Sequence, residues 1–283
     1  MAKNKNGYKK KRINMKKSVK LLGVLSLSIL LLGACGSNKK ANESTATKKK
    51  EELTLYVVRH GKTMLNTTDR VQGWSDAVLT KEGEEVVTAA GKGLGNVDFQ
   101  NAYSSDSGRA VQTAELIIKE NKKSSQLEVQ KDPGLREFNF GTYEGDLNHT
   151  MWGDIAKKQG VTTEEFMKTM TPKSFADSVA EIDKEKNVDG KNWPAEDFET
   201  ITTRLTKSID EIVEKEMKNE GSGNVLVVSH GLSISALLDT LFDDFKMPED
   251  GLKNASVSVI KVKDGKYNLE SVNDTSYIEA GKK

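Results

Sequence analysis

Short apolar runs alternate with amphipathic stripes along most of the chain. Residues 53–58 form a compact apolar run, which predicts a strand leading straight into Arg59-His60-Gly61. Thr80 is placed to cap a helix carrying Val86, Val87, Ala90 and Leu94. Residues 102–104 predict a short strand. A helix follows, with Ala110, Val111, Ala114, Ile117 and Ile118 on one face. A further stripe, Phe198, Ile201, Leu205, Ile209, Ile212 and Val213, has Glu196, Asp197 and Glu199 in its first turn, where the helix dipole favours carboxylates, and Gly221 to close it. Residues 224–229 contain Val225, Leu226, Val227 and Val228, a run of the kind buried on both faces of a parallel sheet. His230-Gly231 comes next, before a helix bearing Leu232, Ala236, Leu237, Leu238 and Leu241. Residues 257–262 and 267–272, on either side of Lys263-Asp264-Gly265-Lys266, predict a hairpin. The alternation defines an α/β fold, a three-layer sandwich with a mostly parallel central sheet between helices. Gly91, Gly93 and Gly95 carry part of a dinucleotide-binding spacing, but they follow a helical stretch and read as its termination.

Charge changes the picture at the amino-terminal end. The 283 residues hold 43 Lys and Arg against 42 Asp and Glu, a net +1. Nine of the basic residues fall in the first 34 positions, with no acid among them, so the remainder carries 34 basic against 42 acidic side chains, about −8. Residues 21–32 are apolar apart from Gly23, Ser26 and Ser28. That length is short for a membrane span and right for the apolar region of an export signal. Leu32-Gly33-Ala34 then leads into Cys35, the chain's one cysteine. The segment resembles a bacterial lipoprotein signal with its lipobox. The resemblance implies cleavage before Cys35, diacylation of Cys35 and a cell-membrane location, lipid-anchored and facing outward. Met15 could equally be the start, since Lys16 onward already supplies a basic region. Residues 36–50 hold no large apolar side chain and read as a flexible tether. The expected organisation is therefore a signal peptide over 1–34, a tether over 35–51 and one domain over 52–281. A single cysteine excludes an internal disulfide framework and a Cys-rich zinc site. An acidic domain with scattered lysines disfavours nucleic acid as a partner.

Only three histidines occur, and two of them, His60 and His230, each follow an apolar strand and precede a glycine. Ligand sites in open α/β sheets lie beyond the carboxyl ends of the strands. Arg59-His60-Gly61-Lys62-Thr63 with Asn66 resembles the signature of the histidine phosphatase superfamily, the phosphoglycerate mutase-like proteins. The likeness continues through Gln72-Gly73-Trp74, Leu79-Thr80 and Gly83. It resumes at Ser104-Ser105-Asp106-Ser107-Gly108-Arg109 with Ala110-Val111-Gln112-Thr113-Ala114, then at Leu135-Arg136-Glu137 with Gly141 and Glu144-Gly145. It closes at Val228-Ser229-His230-Gly231. The blocks stand in the family's order.

The residue types suit phosphoryl transfer, which needs a nucleophile, neutralisation of the phosphoryl oxygens and a proton for the leaving oxygen. The resemblance makes His60 the nucleophile that forms a phosphohistidine and Glu137 the proton donor that later activates water. Arg59 and Arg109 offer planar forks for phosphate oxygens, and Arg109 falls at a helix start where free N–H groups favour an anion. His230 would be a further phosphate contact that stabilises the transition state, and Asn66 a further donor. Glu144 reads more as a solvent-facing carboxylate than as a site residue. His149, in a polar context, reads as a surface or rim residue. No metal site is evident and no cofactor is needed, because two arginines and the imidazoles supply the charge.

Substrate is less legible. In the superfamily, the insertion corresponding to residues 146–197 covers the phosphate pocket as a helical lid and selects the substrate. Here it carries two helical stretches and a polar segment around 183–191. Its Ala195-Glu196-Asp197 departs from the Gly-Glu-Ser often found there, which leaves a substrate contact at that motif open. Trp152, Phe166, Phe175 and Trp193 are candidates for lid packing or pocket lining. Residues 140–145 look more like the phosphatase branch than the glycolytic mutases. The expectation is a metal-independent phosphomonoesterase acting on small phosphate esters outside the cytoplasm. A mutase-type phosphoryl transferase and a non-catalytic phosphoester-binding lipoprotein are the alternatives. Mass spectrometry of membrane fractions checks the anchor: a diacylated Cys35 at the mature amino terminus is expected, and an unmodified Cys35 there would overturn it.

Overall fold

The computed structural model describes residues 52–219 and 222–283. The segments expected to be an export signal and a tether, with Cys35, and Gly221, expected to close a helix, lie outside the described residues. A six-stranded sheet runs in the order β3-β2-β4-β1-β5-β6. Its strands are β1 (Glu52–Arg59), β2 (Phe99–Ser104), β3 (Val129–Lys131), β4 (Gly223–Ser229), β5 (Val257–Lys263) and β6 (Lys266–Asp274). The first four in spatial order are parallel to one another, and the β5–β6 hairpin joins β1 antiparallel. The expected α/β architecture, with helices on both faces of a mostly parallel sheet, is the observed one.

Burial on both sides explains the strand sequences. Leu53, Leu55 and Val57 of β1 enter one core, whereas Val58 of β1 with Leu226 and Val228 of β4 enters the other. The first core is covered by α6 (Pro172–Lys186), α7 (Phe198–Asn219) and α8 (Gly231–Leu241), with α4 (Asn148–Gln159) beyond α6. The second is covered by α2 (Lys81–Gly93), α3 (Gly108–Glu120) and α9 (Ser276–Gly281). The short α1 (Met64–Thr67) follows β1, and α5 (Thr163–Thr169) links α4 to α6. The β1–β4 register runs from Leu53 opposite Gly223 to Arg59 opposite Ser229. His60 and His230 therefore leave the sheet side by side, and the His60 amide still donates to the Ser229 carbonyl at 3.0 Å.

The structure departs from the sequence pattern in several places, among them the unpredicted α1 and α9. β2 begins at Phe99 rather than 102, and β3 was not foreseen, because Val-Gln-Lys at a sheet edge carries no apolar run. The insertion holds three helices rather than two. Thr162 with Glu165 and Thr171 with Ser174 form capping boxes that start α5 and α6 separately. Gly93 is the last residue of α2, as the spacing predicts, whereas Gly91 lies inside the helix. A β-carbon on Gly91 would sit 3.0 Å from the Ile117 α-carbon of α3, and one on Gly93 would sit 1.9 Å from the Tyr277 carbonyl oxygen of α9. Their role is close approach between helices. Gly93→Ala should push α9 off α2 and cost about 1–3 kcal/mol, the range for overpacking. Thermal unfolding reads this as a lowered midpoint, and an unchanged midpoint would contradict the packing.

Candidate active site

The ends of β1 and β4 deliver Arg59-His60 and Ser229-His230 to one place. His60 is 4% exposed, and its Nδ1 donates to the Gly61 carbonyl at 2.7 Å. That bond assigns the proton to Nδ1 and leaves the Nε2 lone pair available. The His60 and His230 rings stand 5.2 Å apart, tilted by 59°. Burial, followed by the Arg109 and Arg59 charges, holds His60 well below the ordinary imidazole range. The same causes hold His230 there, burial first and Arg109 next. Both rings are therefore neutral near pH 7.

Buried groups without a protein partner mark where a ligand belongs. Arg59 Nε, Arg109 Nε, Gln72 Nε2 and both ring nitrogens of His230 are buried and unpaired among the described residues. Leaving such a group unsatisfied costs about 1–3 kcal/mol, so several in one cluster fit an oxygen-rich anion. Arg109 is fully buried and gripped from behind: Nη1 donates to Ser75 O at 3.1 Å and Asp76 Oδ1 at 2.9 Å, and Nη2 to Gly73 O at 2.8 Å. Asp76 also corrects one expectation. Its Oδ2 accepts from the Gly108 amide at 2.5 Å, so a side-chain carboxylate already takes up the first amide of α3. What Arg109 offers a ligand is its Nε edge. Gln72 was not singled out in the sequence, although it stands in a matching block. Its Oε1 accepts from the Thr63 hydroxyl at 2.6 Å, which turns Nε2 into the unpaired donor.

Glu137 reaches the cluster from the loop after β3. Its Oε1 accepts from the Ser233 amide at 2.8 Å, the Ser233 hydroxyl at 2.9 Å and its neighbour Phe138's amide at 3.1 Å. Oε2 accepts from the Leu232 amide at 3.1 Å. The carboxylate thus sits on the amino terminus of α8, one turn from His230, the residue that caps that helix.

Other carboxylates build the frame. Glu144 brackets residues 73–75, accepting from the amides of Gly73, Trp74 and Ser75 and from that of Phe140. It acts through that loop on Arg109 and does not face the cavity. Glu196, from the divergent Ala195-Glu196-Asp197 motif, makes a bidentate pair with Arg204 at 2.8 Å for each bond and accepts from the Asn139 amide at 3.0 Å. Arg204 then donates to the carbonyls of Gly134, Arg136 and Glu137. This arginine clamps the loop that carries Glu137. Sequence reading missed it because it lies on the polar side of the α7 stripe.

A cavity of about 510 Å³ opens over the cluster, with Arg59, His60, Asn66, Gln72, Glu137 and Gly231 at its floor. Arg109 and His230, fully buried, stand behind this lining. Asn66 spends Oδ1 on the Thr63 amide at 3.1 Å, which closes the capping box of α1. Trp152 and Phe175 line the cavity wall, whereas Phe166 packs on Phe175 in the core. Trp193 is 68% exposed and lies 5.1 Å from Trp74. His149 is exposed.

An α/β sheet that ends in paired imidazoles and arginines defines a site for a tetrahedral oxyanion. The chain belongs to the histidine phosphatase superfamily, whose branch 1 model matches residues 55–275. A solved phosphoglycerate mutase from Bacillus anthracis str. Sterne is 43% identical, with a TM-score of 0.76 over 83% of this chain and 98% of that one. The probable fructose-2,6-bisphosphatase TIGAR A of Danio rerio is 33% identical over 214 residues, 69% of this chain and 78% of its own. The probable phosphoglycerate mutase GpmB of Erwinia tasmaniensis is 26% identical over 237 residues, 80% of this chain and 95% of its own. These relatives are named as phosphatases or mutases, which supports a phosphatase-like enzyme.

Two measurements check this geometry. Imidazole nitrogen NMR should show His60 and His230 neutral at pH 6, because burial and the arginines oppose protonation; half-protonation near the ordinary value of about 6.5 would refute the electrostatics. Arg204→Met should destabilise the fold by about 3 kcal/mol, since Glu196 loses its partner at a nearly buried site. It should also lower kcat. A variant with unchanged melting and turnover would remove the clamp.

Proposed function

We propose that this chain is a metal-independent phosphomonoesterase that works through a phosphohistidine at His60 on small phosphate esters outside the cytoplasm. The carrying observation is the Nδ1 bond of His60 to Gly61 O, which presents an unprotonated Nε2 inside a cluster of unpaired buried donors. In the first half-reaction Nε2 bonds to phosphorus and the phosphorus–ester oxygen bond breaks. The departing oxygen takes a proton from Glu137. In the second, Glu137 accepts a proton from water as that water attacks phosphorus, the N–P bond breaks and inorganic phosphate leaves. Arg59, Arg109 Nε, Gln72 Nε2 and His230 hold the phosphoryl oxygens through both steps. The Ser233 hydroxyl reaches both Glu137 Oε1 at 2.9 Å and Arg136 O at 2.8 Å. It can therefore turn from the carboxylate to the carbonyl when Glu137 carries the proton.

Helices α4 to α6 serve as the lid in this reading. The outward, lipid-anchored location rests on the basic run, the apolar dozen and Cys35. Two of the relatives are named mutases, and a mutase would pass the phosphoryl group to a second hydroxyl instead of to water.

Release of inorganic phosphate from a generic aryl phosphate, nucleotides and sugar phosphates, with EDTA present, tests the proposal. His60→Ala should abolish turnover and ³²P labelling of the protein. Glu137→Gln should lower kcat by about 10²–10⁴-fold, the usual share of acid–base catalysis. No phosphate release by the pure protein, or equal release by His60→Ala, would sink the assignment.

A further inference from the structure

The wall of the cavity differs in character from its floor. Four of the chain's eight methionines, Met151, Met167, Met170 and Met247, line it together with Trp152 and Phe175. Met151 and Phe175 are 2% exposed, whereas Met167 is 37% exposed and Trp152, Met170 and Met247 are partly buried. Apolar side chains left partly open around a cavity contiguous with the phosphoryl floor are available to cover something. Methionine is flexible and polarizable, and suits a surface that must fit apolar groups of several shapes.

The charges on the same wall point the same way. Outside the floor, the lining holds one guanidinium, Arg70, against two carboxylates, Glu249 and Asp250, and no lysine. Arg70 is exposed, and its Nη1 already donates to the Gly145 carbonyl at 2.8 Å. A substrate with a second anionic group would need a second cation cluster, and this wall presents one exposed guanidinium, Arg70, beside Glu249 and an Asp250 already paired with Lys253 at 3.0 Å. A cavity of about 510 Å³ lies within the range that takes a drug-sized ligand.

We propose that the alcohol part of the substrate is uncharged and apolar, an aryl or medium-length alkyl group seated against the Met151–Trp152–Met170–Met247 wall while its phosphate lies on His60. This inference rests on the phosphomonoesterase reading above and names the substrate class of the same site. It contrasts with bisphosphates and phosphoglycerates, whose second anion would find no cluster of cations on this wall. Binding energy from the remote apolar part then holds the ester oxygen beside Glu137.

The test is kcat/KM along a series of n-alkyl phosphates from ethyl to octyl, with 1-naphthyl phosphate and 3-phosphoglycerate as end points. Each buried methylene should raise kcat/KM about two- to fourfold until the wall is filled. 1-Naphthyl phosphate should exceed 3-phosphoglycerate by at least about tenfold. Met170→Ser and Met247→Ser should flatten the series while leaving the inhibition constant of inorganic phosphate, which touches only the floor, within about twofold. A flat series in an enzyme that still releases phosphate through His60 would overturn this inference and leave the phosphatase reading standing. So would faster turnover of 3-phosphoglycerate, or an equal loss for every ester together with weaker phosphate inhibition in the variants. If no ester in the series is hydrolysed while a nucleotide or sugar phosphate is, this inference falls and the phosphatase reading stands; if none of these is hydrolysed, both fall.

Discussion

The central constraint is the burial of two guanidinium groups beside two imidazoles at the ends of adjacent parallel strands. Cations cannot be taken out of water unless the surroundings supply acceptors, and imidazoles placed among them are driven to the neutral form. Arg109 meets the requirement with carbonyls of residues 73 and 75 and with Asp76. Glu144 holds the segment that carries those carbonyls, accepting from the amides of residues 73–75. Arg59 meets it with the Leu252 carbonyl, and the unpaired Nε edges remain for a ligand. Neutral His60 follows from the same arrangement. Burial keeps His60 unprotonated first, and the arginine charges that suit an oxyanion add to it.

A second layer holds Glu137, the proposed acid–base group, against that cluster. Glu137 lies on a loop, which alone would place a carboxylate loosely. Arg204 ties the loop carbonyls to Glu196, and the first amides of α8 receive the carboxylate itself. One helix thus orients two functional groups, since His230 caps α8 and Glu137 rests on its first turn. Carboxylates on the two sides of the site do opposite jobs. Glu137 faces the cavity floor, whereas Glu144, Glu196 and Asp76 are spent on backbone amides and arginines.

Much of this was legible beforehand, for identifiable reasons. Strands buried on both faces leave unbroken apolar runs, so β1 and β4 and the residues after them could be located within a residue or so. The ordered blocks around Arg59, Arg109 and His230 carried the family likeness because each sits at a strand end or helix start that local sequence specifies, and Glu137, on a loop, was legible only through its own block. Edge strand β3 left no such trace, being three residues of mixed polarity. The glycine spacing located the end of α2 at Gly93, but not that Gly91 and Gly93 also admit the backbones of α3 and α9. Glu144 and Glu196 could not be sorted from functional acids, since a carboxylate that accepts backbone amides looks the same in sequence as one that faces substrate.

What the sequence by itself determined is the α/β order, the strand ends and the residue types gathered there, because periodicity and local motifs act over a few neighbours. Tertiary structure alone decided which nitrogen of His60 carries the proton, that Asp76 takes up the first amide of α3, that Gln72 turns a free amide to the cavity, and that methionines from three separate segments share one wall. Those outcomes depend on contacts between residues far apart in the chain. No repeat records such contacts, and only the packing of the sheet against its helices brings them together.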